Sequence, residues 1–294
     1  MLYDIKLSIQ YVYRAPVAGG RHVLYMTPSQ VGPQRVITSL LDITPTPDER
    51  IAKTDFFGNT AVEVAFRAPH AAIAFRLRAR VERLKVDETP DVSPALPALV
   101  NEIAGLRSLA PDSPYHFLAD SPRVKVMPEF KDYAQVQITD AAQSACAIVE
   151  AVGKALDRDM KFDPGSTNVD TPPEEAFAAR HGVCQDFTHI MIGCLRSIGV
   201  PAGYVSGFLR TQPPEGEERL EGADAMHAWV RAWCGKVTGW VEYDPTNGIW
   251  VSDQHIAVAH GRDYGDVAPV RGVVRTSGGQ ASKQAVDVIP LGGG

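Results

Sequence analysis

Apolar and polar residues alternate along much of the N-terminal part of the chain. Tyr3, Ile5, Leu7, Ile9, Tyr11 and Tyr13 fall at every second position, with Asp4, Lys6, Ser8 and Gln10 between them. The same period returns at Ile73, Phe75, Leu77, Ala79 and Val81, opposed by Arg76, Arg78, Arg80 and Glu82. Val62, Val64 and Phe66 repeat it more briefly, after the turn signal Asp55-Phe-Phe-Gly-Asn59. A period of two turns one face of a strand to a core and the other to water. Residues 1–88 therefore predict an antiparallel β-sandwich of short strands divided by Gly and Pro, with the arginine row on its wet face.

The period then lengthens. Residues 89–137 are Pro-rich and read as a linker with one short helix near Leu96–Leu106. Residues 138–250 form the expected core, opening with a helix over 140–158. Asp140 and Gln143 stand at cap spacing there, and Ile148, Val149, Val152 and Leu156 share one face. Thr171-Pro-Pro-Glu174 spells another helix start, closed by Gly182 in a left-handed conformation. After Cys184, apolar residues recur at Phe187, Ile190, Met191, Cys194, Leu195 and Ile198 until Gly199 and Pro201 end the run. Cys184 thus sits in the first turn of a helix.

Strand 203–210 follows, then a polar loop over 211–224 placed to rim a cleft beside His227. Met226–Trp233 alternates strictly, with His227, Trp229, Arg231 and Trp233 on one face, and Trp240–Asp244 reads as its partner. A hairpin centred between Gly235 and Lys236 sets His227 directly opposite Asp244, where Cβ atoms stand roughly 4.5–5.5 Å apart. Residues 250–270 look irregular. In the extension 251–294, Val270–Thr276 and Ala285–Ile289 read as two strands, before a frayed end at Gly292–Gly294.

Chemistry concentrates on three of these residues. The first turn of a helix offers unpaired N–H groups and the positive end of the dipole, which favour a thiolate and can hold an oxyanion. An Asp facing a His can orient its imidazole. A free Cys can equally be a small buried hydrophobe. His181, Cys184 and His189 leave a zinc reading open, but no CxxC or HxxxH pair supports it. His255 and His260 read as surface or packing residues, Asp186 as a partner of the helix dipole, Arg262 and Asp263 as an ion pair, and Cys146 as structural.

The chain resembles the bacterial transglutaminase-like proteins. The matching stretches are Gly182-Val-Cys-Gln-Asp-Phe-Thr-His189, Leu195-Arg-Ser-Ile-Gly-Val-Pro-Ala202, Tyr204-Val-Ser-Gly207, His227-Ala-Trp-Val230, Gly239-Trp-Val-Glu-Tyr-Asp-Pro-Thr-Asn-Gly248 and Ala259-His-Gly-Arg-Asp-Tyr264. The N-terminal region is similar to the β-rich domain that precedes such cores. The resemblance implies an α+β protein: a sandwich followed by a papain-like core with helices packed on an antiparallel sheet. It implies a papain-type Cys–His–Asp core of Cys184, His227 and Asp244, with Gln185, Tyr204 and Trp229 at the oxyanion or substrate positions. No metal and no cofactor is expected. Animal transglutaminases carry a Trp upstream of the nucleophile and acidic calcium loops. Here the first Trp is Trp229, and such loops are not recognisable.

Composition narrows the function. The 294 residues suffice for two domains, and a net charge of −6 without a basic block argues against nucleic acid as a partner. No apolar stretch approaches the ~18 residues of a membrane span, and no signal peptide is visible. Cys146, Cys184, Cys194 and Cys234 lack paired spacing, which with the missing leader predicts a cytoplasmic protein. The expected activity is hydrolysis of peptide or amide bonds through a cysteine thioester, on a peptide or protein substrate. Acyl transfer to an amine and a catalytically silent binding module are the alternatives. The sequence leaves oligomeric state open.

Overall fold

The computed structural model describes residues 1–85, 90–210 and 224–291. The polar loop before Asp224, the start of the linker at Thr89 and the glycine end lie wholly or largely outside these residues. Six strands open the chain: β1 (Leu2–Val17), β2 (Gly20–Leu24), β3 (Gln34–Thr44), β4 (Glu49–Thr54), β5 (Thr60–Phe66) and β6 (His70–Arg83). Then come α1 (Leu96–Ala104), α2 (Pro128–Val136), α3 (Ala145–Asp159), β7 (Lys161–Phe162), α4 (Pro173–Ala179), β8 (His181–Gly182) and α5 (Cys184–Ser197). The chain closes with β9 (Ala202–Leu209), β10 (Ala225–Trp233), β11 (Trp240–Asp244), β12 (Ile249–Trp250), β13 (His255–Gly261), α6 (Tyr264–Val267), β14 (Val270–Val274) and β15 (Gln280–Leu291).

The N-terminal half is the antiparallel sandwich expected from the alternation. Its sheets run β15-β1-β6-β3 and β14-β2-β5-β4, so the last two strands of the chain complete both. Register follows the pattern: Ile5 pairs with Ala79, Leu7 with Leu77 and Ile9 with Phe75, which keeps the apolar faces together. The two sheets meet where His22 of β2 packs edge-on against Phe75 of β6, centroids 5.7 Å apart. On the wet face Arg80 makes a two-pronged contact with Asp4 at 2.7 and 2.8 Å. Such exposed pairs contribute little to stability.

The C-terminal half packs helices on a five-stranded antiparallel sheet, β12-β11-β10-β9-β13. Helix α5 supplies the interior: Phe187, Ile190, Met191, Cys194 and Leu195 are all buried. Helix α3 lies close to β11, because Gly153 lets Tyr243 approach; a Cβ there would stand 2.1 Å from its ring.

Several details differ from the sequence reading. The stretch 90–137 is packed, with Leu99 and Ile103 of α1 and Phe130 of α2 in the common core. Helix α3 starts at Ala145, because Ser144 accepts the Ala147 N–H at 3.2 Å. Asp140 and Gln143 instead close a local turn, accepting from Ala142 and Thr139. Thr171 accepts from Asn168 N–H within its loop, and α4 begins at Pro173. The left-handed residue that ends α4 is Arg180, φ 58°, with its guanidinium 4.1 Å from the Phe177 ring centre. Most consequentially, residues 250–270 are not irregular: β13 is a full strand of the core sheet beside β9.

Candidate active site

Cys184 is the first residue of α5 and is partly exposed. Asp186 fastens this helix start: its Oδ2 accepts the Val183 N–H at 2.8 Å and the Thr167 hydroxyl at 2.6 Å. Burial pushes the Asp186 carboxyl up, opposed by those two hydrogen bonds. Gly182 is required for this closure rather than for a positive φ. A Cβ there would lie 2.7 Å from the Asp186 carboxylate. Asp186 therefore does more than complement the dipole; it shapes the turn that presents Cys184.

The β10–β11 hairpin has a longer loop than its sequence suggested. Cys234 N–H donates to Gly239 C=O and Gly239 N–H to Gly235 C=O. The pairs are Val230 with Tyr243, Arg231 with Glu242, Ala232 with Val241 and Trp233 with Trp240. That is a slip of two residues from the expected register, and a slip of two preserves the face. His227 and Asp244 therefore meet diagonally instead of directly, with His227 Nε2 2.7 Å from Asp244 Oδ2.

Asp244 is fully buried, 0% exposed, and surrounded by donors. Its Oδ2 also takes Asn247 Nδ2 at 2.7 Å and His255 Nε2 at 3.2 Å, and its Oδ1 takes the Thr246 N–H at 3.0 Å. Burial alone would raise this carboxyl. The hydrogen bonds from His227, His255 and Asn247 hold it well below the usual carboxylate range. Burial likewise acts against charge on His227, yet hydrogen bonds to Asp244 and Cys184 push it up to about 10. Asp244 and Cys184 thus both favour charge on the His227 ring that lies between them.

The expected papain-type Cys–His–Asp core is corrected by this geometry. The ligand atoms that lie within 4.8 Å of one another belong to His227, Asp244 and His255, and no cysteine is in that cluster. The third place on Asp244 is taken by His255, which β13 delivers from a stretch that looked irregular. Cys184 touches the cluster through His227 alone among the contacts just described. The three ligand atoms are close enough for a cation. A metal would have to displace the donors that already occupy Asp244 Oδ2.

The other named residues fall around this centre. Trp229 is buried; its indole N–H donates to Glu242 Oε2 at 2.8 Å, and its ring meets His255 edge-on at 5.3 Å. Gln185 donates to Val169 C=O at 3.1 Å. Tyr204 is buried on β9, 5.2 Å from the His189 ring, and burial drives its phenol far up. His189 is buried and pushed down to about 3, accepting the Tyr264 N–H through Nε2. Arg262 pairs with Asp266 rather than Asp263, which accepts from Arg123 and Gly265. His255 was missed by sequence reading. The apolar alternation of Ile256 and Val258 just after it was the available signal.

This fold agrees with what the chain is similar to. Residues 131–245 match the transglutaminase-like superfamily, and residues 3–82 match the bacterial transglutaminase-like N-terminal region. An uncharacterized protein of Mycobacterium tuberculosis, Rv2569c, is 33% identical over 306 residues, spanning 99% of this chain and 93% of that protein. A Mycobacterium leprae protein, ML0607, is 29% identical over 285 residues, 97% of each. The chain belongs to the transglutaminase-like superfamily, in the form that carries the bacterial N-terminal region.

Among solved structures, a candidate cysteine protease from Cytophaga hutchinsonii shares the fold at a TM-score of 0.76 and 18% identity, covering 100% of this chain and 92% of that one. The periplasmic domain of TgpA from Pseudomonas aeruginosa also matches, at 17% identity and a TM-score of 0.34, over 83% and 90% of the two chains. The cytoplasmic expectation does not stand, because free thiols alone do not fix a compartment. Among the described residues no helix is long and apolar enough to cross a membrane.

Proposed function

We propose that the protein is a thiol-dependent hydrolase of peptide or amide bonds. The observation that carries this reading is the His227 ring, bonded at 2.7 Å to the buried Asp244 and in contact with Cys184 at a helix N-terminus. In the proposed reaction the Cys184 sulfur attacks the carbonyl carbon, forming a C–S bond. The negative charge on oxygen is received by the N–H of Cys184, which at the first helical position has no intrahelical acceptor. His227 gives its proton to the departing nitrogen as the C–N bond breaks, leaving a thioester. It then takes a proton from water, which attacks the thioester, releases the acid and returns the thiolate–imidazolium pair. Asp244 stays ionised throughout and orients the ring.

Water and an amine compete for such a thioester. Among the described residues no acidic cluster for a lysine ammonium stands beside the cysteine: Asp186 is closed on its own turn, and Glu242 is bonded to Trp229. Hydrolysis is therefore the expected outcome. The test is a peptide library read by mass spectrometry while cadaverine is titrated in. Free acid should dominate at low millimolar amine. Adduct in excess would make the protein a transferase with the same residues, and no turnover by wild type would refute the enzyme reading.

A further inference from the structure

Strand β13 is an edge of the core sheet, and the N-terminal sandwich holds it from outside. The side-chain amide of Gln34 takes both backbone groups of Ala257, donating to C=O at 2.7 Å and accepting from N–H at 2.8 Å. Asn59 does the same at His260, at 2.8 and 2.9 Å. Both amides are buried, so they fill the edge as a neighbouring strand would. From the end of β6, Arg83 Nη2 donates to Ser252 C=O at 3.0 Å, and Ser252 N–H donates to His255 Nδ1 at 3.2 Å. Since Nδ1 accepts, the neutral His255 ring carries its proton on Nε2, the atom that faces Asp244 Oδ2.

We infer that His255 is a positioning residue, a strut that fixes Asp244 against His227 and is itself placed by the N-terminal sandwich. Of the other donors to Asp244, Thr246 and Asn247 belong to the turn that follows it and move with it. His255 comes from another strand, and its far nitrogen rests on a loop anchored by Arg83. A residue needed only for volume would not have both ring nitrogens engaged at defined partners. The sandwich thus belongs to the working site although none of its residues touches His227 or Cys184 in the contacts described. The catalytic consequence rests on the proposed thiol hydrolase; the strut itself does not.

The test compares His255→Phe, which keeps volume but removes the donor, with His255→Gln, which keeps a donor, and with Arg83→Met. Two readouts are followed on the full chain: solvent exchange of the His227 ring N–H by proton–nitrogen NMR, and the alkylation rate of Cys184. In His255→Phe exchange should quicken and alkylation slow, each by about tenfold, the scale of one hydrogen bond to a charged group. His255→Gln should recover most of both, and Arg83→Met should shift exchange in the direction of the Phe variant. Unchanged exchange in His255→Phe, or no recovery in the Gln variant, overturns the inference. Should the Phe variant fail to fold, Arg83→Met decides: wild-type exchange there overturns it. Failure of the hydrolase reading shows separately, as wild-type Cys184 labelling no faster than Cys146, and leaves the NMR comparison standing.

Discussion

Replacing Asp244 with Asn removes one charge and almost no volume, at a site that has no room for an amide. The carboxylate accepts from His227, His255 and Asn247 at Oδ2 and from Thr246 at Oδ1. Whichever way an Asn is turned, its NH2 meets at least one donor. The imidazolium of His227 loses its buried counter-charge at the same time. With only the Cys184 contact left to oppose burial, its pKa should fall from about 10 toward the ordinary value near 6.5. At 1.36 kcal/mol per unit, that difference is roughly 5 kcal/mol, shared between Asp244 and Cys184. Breaking a buried pair from one side costs a similar amount, about 3–5 kcal/mol. The assay is an NMR pH titration of the His227 ring in wild type and Asp244→Asn, with urea unfolding at pH 7 beside it. Wild type should keep its proton to about pH 10, and the variant should lose it nearer neutrality. Turnover should drop by orders of magnitude, up to about 10⁴ where a carboxylate orients a catalytic imidazole. A variant His227 that still titrates near 10 would show that Asp244 is not what holds the proton.

Three further outcomes are expected. Brief iodoacetamide treatment followed by peptide mapping should label Cys184 first and Cys146 second; the buried Cys194 and Cys234, whose thiols are pushed up, by burial for Cys194 and by the Cys146 hydrogen bond and burial for Cys234, should stay unreacted. Because His227 is raised, its contribution to stability is complete below about pH 6.5 and lost as pH rises through about 10. In wild type the unfolding free energy from urea melts should fall over that window, and a flat profile would contradict the assignment. Gly182→Ala drives a Cβ into the Asp186 carboxylate, so a loss of roughly 1–3 kcal/mol is expected in the same assay, with slower Cys184 labelling.

Local pattern and covalent order carried much of this protein. Alternation at Tyr3–Tyr13 and Ile73–Val81 defined the sandwich strands, because a period of two fixes which face is buried whatever lies opposite. Helical spacing after Cys184 placed that residue at a helix start, since nothing beyond the chain itself sets a 3.6-residue period. His227 and Asp244 were brought to one face by strand parity, which survived a two-residue error in the register. Loop length was misjudged because the Cys234–Gly239 turn is stabilised by its own backbone bonds, which no single residue type announces. What only the tertiary structure decided is the surroundings of Asp244. His255 reaches it from β13, a strand whose edge is satisfied by the side chains of Gln34 and Asn59, distant in sequence. Short strands gain their pairing from such non-local partners, so their pattern alone is weak. The same holds for β14 and β15, whose places in the N-terminal sheets depend on edges left open by β2 and β1 at the other end of the chain.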